Sequence, residues 1–115
     1  MENNKNTELN EILEGLHYGQ VVEFKCGGVE YALESYKLEG NDYHSLCLYK
    51  FNKDDRVGTL VFADKITYFG ESDYPIKFKD NYPIEEIKTI LEKEKVFNGK
   101  SFIDAFEDIE LSFID

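Results

Sequence analysis

The feature that most constrains the fold is a pair of alternating runs, residues 21–26 and 29–33, on either side of two glycines at 27–28. Apolar and polar side chains alternate in both runs, as they do in β-strands that bury one face. A two-residue glycine loop is typical of β-hairpins. The sequence therefore predicts an antiparallel hairpin in which Cys26 lies opposite Val29.

The register of this hairpin follows by counting outward from the turn. Lys25 pairs with Glu30, Phe24 with Tyr31, and Val22 with Leu33. The predicted apolar face carries Val22, Phe24, Cys26, Val29, Tyr31 and Leu33, and the predicted polar face carries Glu23, Lys25, Glu30 and Glu34. A slip of one residue would turn the whole apolar set toward water, so the register is a direct test of the prediction.

Further strand signals follow the hairpin. After a turn at residues 40–42, the run 43–51 has apolar residues on both faces, which predicts a central strand that is partly covered on each side. Residues 58–63 predict a fourth strand and residues 66–69 a short fifth. Residues 75–78 predict an edge segment, because a proline at the first position breaks no hydrogen-bond ladder.

Helical periodicity appears on both sides of this strand-rich region. In residues 8–16 the apolar side chains recur at i, i+3, i+4 and i+7, with Thr7 as the expected N-cap; they are Leu9, Ile12, Leu13 and Leu16. Pro83 predicts the first turn of a second helix, whose expected buried stripe is Ile84, Ile87 and Leu91.

The end of the chain combines a cap and a strand pattern. After the interruption at Asn98 and Gly99, Ser101 predicts the cap of a short helical segment that carries Phe102, Ala105 and Phe106. Residues 109–113 alternate and predict a final strand. The elements together predict one α+β domain over residues 1–115, with an N-terminal helix, an antiparallel sheet of about five strands, C-terminal helices and a final strand.

Charge sets the second constraint. Twenty-four acidic residues against thirteen basic ones give the chain a formal net charge of -11. Aromatic and β-branched residues recur throughout, so disorder is predicted only for residues 1–6. The sequence has no secretory signal pattern and no apolar run long enough to cross a bilayer, which predicts a cytoplasmic protein that does not bind membranes.

Catalytic and metal-binding motifs are absent from the sequence. Cys26 and Cys47 lie in alternating apolar runs, which predicts structural thiols rather than zinc ligands. His44 is predicted to be structural, and a role as a general base would need a cleft that gathers it with two carboxylates of raised pKa. The loop 52–55 lacks the ligand set of an EF-hand. The sequence predicts no enzyme, no metal and no cofactor.

The sequence also resembles a group of known proteins. The N-terminal helix, the hairpin over residues 22–33 and the segment from Asn98-Gly99-Lys100-Ser101-Phe102 through Asp108-Ile109-Glu110 are similar to small acidic proteins of Firmicutes and their phages. The resemblance covers both ends of the chain and not its middle. It implies a phage or host setting and carries no catalytic residue.

Acidity excludes one function and favours another. A surface of carboxylates repels nucleic-acid phosphates, so direct nucleic-acid binding is excluded, but the same surface is attracted to a basic groove on another protein. The predicted partner-binding residues form a hairpin set and a tail set. The hairpin set is Glu23, Glu30, Glu34, Tyr36, Glu39, Asp42 and Tyr43, and the tail set is Asp104, Glu107, Asp108 and Glu110.

Two hypotheses of function remain open at this stage. The first is a non-enzymatic acidic inhibitor that occupies a basic, nucleic-acid-binding site on a partner protein. The second is an immunity-type or accessory protein that binds through apolar or sheet-edge contacts at residues 74–79. A third reading is that the acidity serves only to keep a small protein in solution.

Overall fold

The structure is a computed structural model that describes residues 4–69 and 81–115. Its elements are helix α1 (Asn4–His17), strands β1 (Val22–Cys26), β2 (Val29–Lys37), β3 (His44–Phe51) and β4 (Gly58–Ile66), helix α2 (Ile84–Lys93), a 3-10 turn (Phe106–Asp108) and strand β5 (Ile109–Ile114). An α+β fold with an N-terminal helix and a five-stranded antiparallel sheet is confirmed. The predicted edge segment at residues 75–78 lies outside the described residues.

The hairpin of β1 and β2 has the predicted register. Val22 pairs with Leu33, Phe24 with Tyr31, Lys25 with Glu30, and Cys26 with Val29. Both turn glycines have positive φ angles, 60° at Gly27 and 80° at Gly28. Two consecutive positive φ angles match the twist of the strands that they connect, and glycine adopts them without strain.

The strand order is β4-β3-β2-β1-β5, so the last strand of the chain lies beside the first. Strand β5 runs antiparallel to β1, with a register shift between Glu23 and Phe24. Beyond the paired strands, the backbone of Asp115 exchanges two hydrogen bonds with Val21, at 2.8 and 3.2 Å. Strands β4 and β5 are therefore the two outer strands of the described sheet.

Both α-helices contribute to one hydrophobic core on one face of the sheet. The buried side chains of α1 are Ile12, Leu13 and Leu16, with Leu9 at the periphery, so the predicted stripe is confirmed. In α2 the buried residues are Ile87, Ile90 and Leu91. The prediction for Ile84 is wrong: it opens the first turn and is 37% exposed, and Ile90 is buried in its place.

Five aromatic rings fill the core beneath the hairpin tip. Phe24 stacks on Tyr31 at 5.4 Å between ring centroids and meets the edge of Phe102 at 5.1 Å. Phe97 and Phe106 extend the cluster on either side of Phe102. Offset and edge-to-face contacts of this kind favour aromatic packing beyond the burial of area. The cluster joins the segment after α2 to the sheet.

The segment that precedes α2 is fixed by one buried tyrosine. Tyr82 is 1% exposed, and its backbone N–H donates to the carbonyl of His17 at 2.9 Å. His17 Nδ1 returns a hydrogen bond to the carbonyl of Tyr82 at 2.7 Å. The Tyr82 hydroxyl donates to the carbonyl of Ser35 at 3.3 Å. The backbone of Tyr82 thereby binds the end of α1, and its side chain binds strand β2.

Three further expectations need correction. Helix α1 begins at Asn4, before the predicted cap Thr7. Residues 66–69 do not form a separate strand, because β4 continues to Ile66. The segment after Ser101 contains turns and the 3-10 turn rather than a second C-terminal α-helix, although Ser101 Oγ does accept a hydrogen bond from the Asp104 N–H at 3.1 Å. Residues 102–108 would make fewer than two α-helical turns, so an α-helix here would gain few hydrogen bonds against the cost of its nucleus.

Candidate functional site

The sheet has a second face on which no helix of the described chain packs. We call it the open face; by register it carries Glu23, Lys25, Glu30, Ala32, Glu34, Tyr36, Ser45, Cys47, Tyr49, Ala63, Lys65 and Glu110. None of these residues belongs to the hydrophobic core cluster. From the hairpin set, the structure places Glu23, Glu30, Glu34 and Tyr36 on this one face.

The centre of the open face holds Glu34 directly opposite Cys47. Burial raises the pKa of the Glu34 carboxyl above its ordinary value. Cys47 is completely buried, and this burial together with the charge of Glu34 raises the pKa of its thiol to about 11. The thiol therefore stays protonated at neutral pH and is a poor nucleophile.

Two tyrosines lie across the strands beside this pair. The hydroxyl groups of Tyr36 and Tyr49 form a hydrogen bond with each other. Burial and that hydrogen bond raise the pKa of Tyr49. Both rings are half-buried, so they offer flat apolar area and little free polar capacity.

At the hairpin end of the open face the carboxylates lie opposite basic side chains. Arg56 Nη1 lies 2.5 Å from Glu30 Oε1, and its guanidinium lies 5.9 Å from the ring centroid of Phe51. Lys25 is opposite Glu30 on one side and Glu110 on the other. A groove of about 360 Å³ at this end is lined by basic residues in addition to Glu30. Carboxylates that already face cations attract a basic partner weakly.

The opposite end of the open face is acidic. Glu39, Asp42 and Tyr43 are exposed in the connection between β2 and β3. Among the described residues, the one cation in contact with these three side chains is Lys65, whose Nζ lies 5.3 Å from the ring centroid of Tyr43. We group Glu39 and Asp42 with Glu23 under the name lower acidic patch; Glu23 lies nearer the middle of the open face, where β1 pairs it with Ala32.

The tail set is brought together only in part. Asp104, Glu107, Asp108 and Glu110 are all exposed, and Glu110 lies opposite Lys25 in the sheet. Asp108 and Glu110 line one groove of about 630 Å³ together with Cys26 and Lys100, and Asp104 and Glu107 do not line it. Burial raises the pKa of Cys26, and Asp108 raises it further. The sequence cannot show this division, because it depends on where the chain turns into β5.

His44 lies at the opposite face of the sheet, among aromatic rings. Its ring stacks on Tyr68 with 3.8 Å between centroids, and its Nδ1 lies 2.9 Å from the Tyr82 hydroxyl. The carboxyls with raised pKa are elsewhere: Glu34 is on the open face, and the pKa of Glu94 is raised by its hydrogen bond to Asp64 and by burial. The described residues therefore do not gather His44 with these two carboxyls.

The loop 52–57 forms a hydrogen-bonded turn. The Asn52 and Val57 backbones are joined by a hydrogen bond at 3.0 Å, and Asp55 Oδ1 accepts the Val57 N–H at 3.0 Å. Within residues 4–69 and 81–115, no group of three or more His, Cys, Asp or Glu side chains is placed to hold a metal ion. In the same ranges no helix is long and apolar enough to cross a membrane.

Two features of the sheet edges were missed from the sequence. Helix α1 and strand β5 enclose a groove of about 580 Å³, lined by Glu11, Glu14, Gly15, Tyr18, Gln20, Leu111 and Ile114. At the other edge, β4 exposes Leu60 and Val61. Both features follow from the strand order, for which the sequence carries no local signal.

Comparison with protein-family models, with curated proteins and with solved structures finds no match to this chain.

Proposed function

We propose that this chain is a non-enzymatic acidic binding protein that occupies a basic, nucleic-acid-binding surface of a partner protein and blocks it. The observation that carries the proposal is that Glu23 on the open face, and Glu39 and Asp42 in the connection at its end, form no ion pair with a described residue, on the side of the sheet where no described helix packs. The resemblance to small acidic proteins of Firmicutes and their phages supplies a setting in which such an inhibitor acts on a host protein.

Electrostatics supports the lower patch over the hairpin end. No ion pair joins Glu23, Glu39 or Asp42 to another described residue, whereas Glu30 is paired with Arg56. Unpaired carboxylates keep their attraction for a cationic surface and accelerate encounter with it. Tyr36, Tyr43 and Tyr49 add contact area that loses little conformational entropy on binding.

The test compares two variants that lose the same charge at different places. The patch variant is Glu23→Gln, Glu39→Gln and Asp42→Asn, and the matched control is Glu85→Gln, Glu92→Gln and Asp54→Asn, all exposed residues outside the lower acidic patch. Proteins are captured from host lysate over a range of salt, and the captured partner is then offered an oligonucleotide in competition.

We expect the native chain to capture a basic protein and to displace its oligonucleotide, with capture falling as salt rises. The patch variant should weaken binding about tenfold, while the control changes it less than about twofold. Capture that is indifferent to salt, or equal loss in both variants, would refute the proposal. If the chain binds the partner but does not displace the oligonucleotide, it is a binding protein and not an inhibitor of nucleic-acid binding.

A specific observation favours the second candidate function, an accessory protein that binds through a sheet edge. Residues 58–63 have no charged side chain, although 32% of the chain is charged. They form part of the outer strand β4, where Leu60 is 45% exposed and Val61 37%. Natural edge strands usually carry charges that prevent pairing. An uncharged edge is typical of a strand that receives a partner strand.

The discriminating variant is Val61→Lys, with Ile84→Lys as its control, because both native side chains are 37% exposed and only Val61 lies on the edge. If the edge binds the partner, Val61→Lys abolishes capture and the patch variant does not. The first proposal gives the opposite result. The segment at residues 74–79, for which the same mode is predicted from sequence, lies outside the described residues.

A further inference from the structure

The groove between α1 and β5 combines three properties. Its floor is apolar, formed by Leu111 and Ile114 of the outer strand. Its wall is acidic, formed by Glu11 and Glu14 of the helix. The strand beside it stands last in the sheet order, so one side of its backbone has no strand partner among the described residues.

Gly15 allows helix α1 to pack directly against the Ile114 side chain of the strand. A Cβ atom at this position would lie 2.8 Å from Ile114 Cγ2, closer than side chains pack. The close approach brings Glu11 and Glu14 beside the strand edge. Both carboxylates are exposed, and neither forms an ion pair within the described part of the chain.

The chain's own Lys5 shows what chemistry this edge accepts. Its ammonium donates a hydrogen bond to the carbonyl of Ile109, the first residue of β5, and lies 5.0 Å from the ring centroid of Phe106. It is also 3.8 Å from Glu8 Oε1. A lysine can therefore cover apolar surface with its aliphatic stem while its ammonium interacts with a carbonyl and a carboxylate.

We infer that the groove binds an extended basic segment of a partner protein, which adds to the sheet as a strand beside β5. Side chains of an added strand alternate between the two faces of a sheet. One set of side chains would then enter the groove, where lysine or arginine stems cover Leu111 and Ile114 and their heads meet Glu11 and Glu14. The other set would lie on the open-face side beside Phe113, which is 48% exposed.

This inference rests on the proposed function, since it takes the partner to be a basic protein, and it names the segment that is recognised. It predicts the sequence of the ligand: cationic and apolar residues in alternation. The predicted interface is small, so we expect a dissociation constant in the micromolar range that rises with salt.

The probe is a synthetic peptide in which lysine and valine alternate, labelled for fluorescence anisotropy. Three control peptides test the three properties of the groove: glutamate in place of lysine tests charge, a scrambled order tests alternation, and N-methylation of alternate residues tests strand addition. Amide hydrogen exchange of the intact protein provides a second measurement, because a bound strand protects the backbone of Ile109–Ile114.

We expect the alternating peptide to bind, and each control peptide to bind at least about tenfold more weakly. The variant Glu11→Lys and Glu14→Lys should lose the peptide, whereas Glu85→Lys and Glu92→Lys, exposed acids of α2, should retain it. Binding of the N-methylated peptide, or no added protection in β5, overturns strand addition. Equal binding by both charge variants overturns the groove.

The outcomes also separate this inference from the proposed function. If the Glu11→Lys and Glu14→Lys variant fails to bind the peptide but still captures the basic partner, the groove is not the site of recognition and the acidic inhibitor stands. If the peptide binds as expected but no basic partner is captured in a salt-dependent way, the groove stands and the proposed inhibition falls. The glutamine versions of both variants exclude misfolding caused by charge reversal.

Discussion

Tyr82→Phe tests how the segment before α2 is fastened to the sheet. The side chain is 1% exposed, and its hydroxyl lies 2.9 Å from His44 Nδ1 and 3.3 Å from the Ser35 carbonyl. The hydroxyl has a single hydrogen, which it donates to Ser35, so the hydrogen bond with His44 is donated by Nδ1–H. Removal of the oxygen leaves His44 Nδ1 and the Ser35 carbonyl each without the hydrogen bond to Tyr82.

The expected cost follows from these two hydrogen bonds. Each contributes about 1 kcal/mol net, so we expect Tyr82→Phe to lower the free energy of unfolding by about 2 kcal/mol. An unfolding entropy of about 2.1 cal/mol/K per residue, over 115 residues, makes this a fall in Tm of about 8 °C. The ring remains, so no cavity contributes to the loss.

Thermal and urea unfolding, followed by circular dichroism, measure this loss directly. Tyr43→Phe is the matched control, because that side chain is 41% exposed and should lose less than about 0.5 kcal/mol. The proton on His44 Nδ1 should be visible by NMR in the native chain and exchange faster in Tyr82→Phe. A Tm within about 2 °C of the native chain, or no difference from the control, would refute the reasoning.

Three further predictions concern the helix contact, the thiols and the open face. Gly15→Ala should lower the free energy of unfolding, measured in urea, by about 1 kcal/mol, because the clash of the new Cβ with Ile114 outweighs the helix propensity of alanine. A variant that is more stable than the native chain would contradict the close packing. In the folded protein a thiol reagent at pH 8 should label half-buried Cys26, and it should label Cys47 only when the protein unfolds. Equal labelling rates for the two thiols would contradict the burial of Cys47. Burial raises the pKa of Glu34 above its ordinary value of 4.5, so the folded state loses stability as the pH rises from 4.5 through the raised pKa. The variant Glu34→Gln should match the stability of the native chain below this pH range and exceed it at neutral pH. A native chain that is more stable than Glu34→Gln at neutral pH would contradict the prediction.

The sequence predicts those elements whose cause is local. Gly27 and Gly28 determine the turn, and the alternation on either side then determines the register. The period of α1 identifies its buried stripe for the same reason. The predicted burial of Ile84 is wrong because periodicity identifies which face of a helix is apolar, but not whether the first turn of that face reaches the core.

The candidate site depends on contacts between residues distant in sequence, which local patterns do not report. The acidic residues on the open face follow from the hairpin register. Which of them are neutralised does not, because Arg56 reaches Glu30 only from a loop in which its own φ is 58°. The α1 and β5 groove likewise depends on β5 pairing with β1, which no turn between them enforces.

The position of β1 between β2 and β5 also governs how the chain assembles during synthesis. Strands β1 to β4 are sequential neighbours, and each can pair as soon as it leaves the ribosome. One side of β1 must wait for Ile109–Ile114, after every other element has emerged. The nascent chain therefore carries an unsatisfied row of backbone groups along Val22–Cys26, which a chaperone or a second nascent chain meets before β5 does.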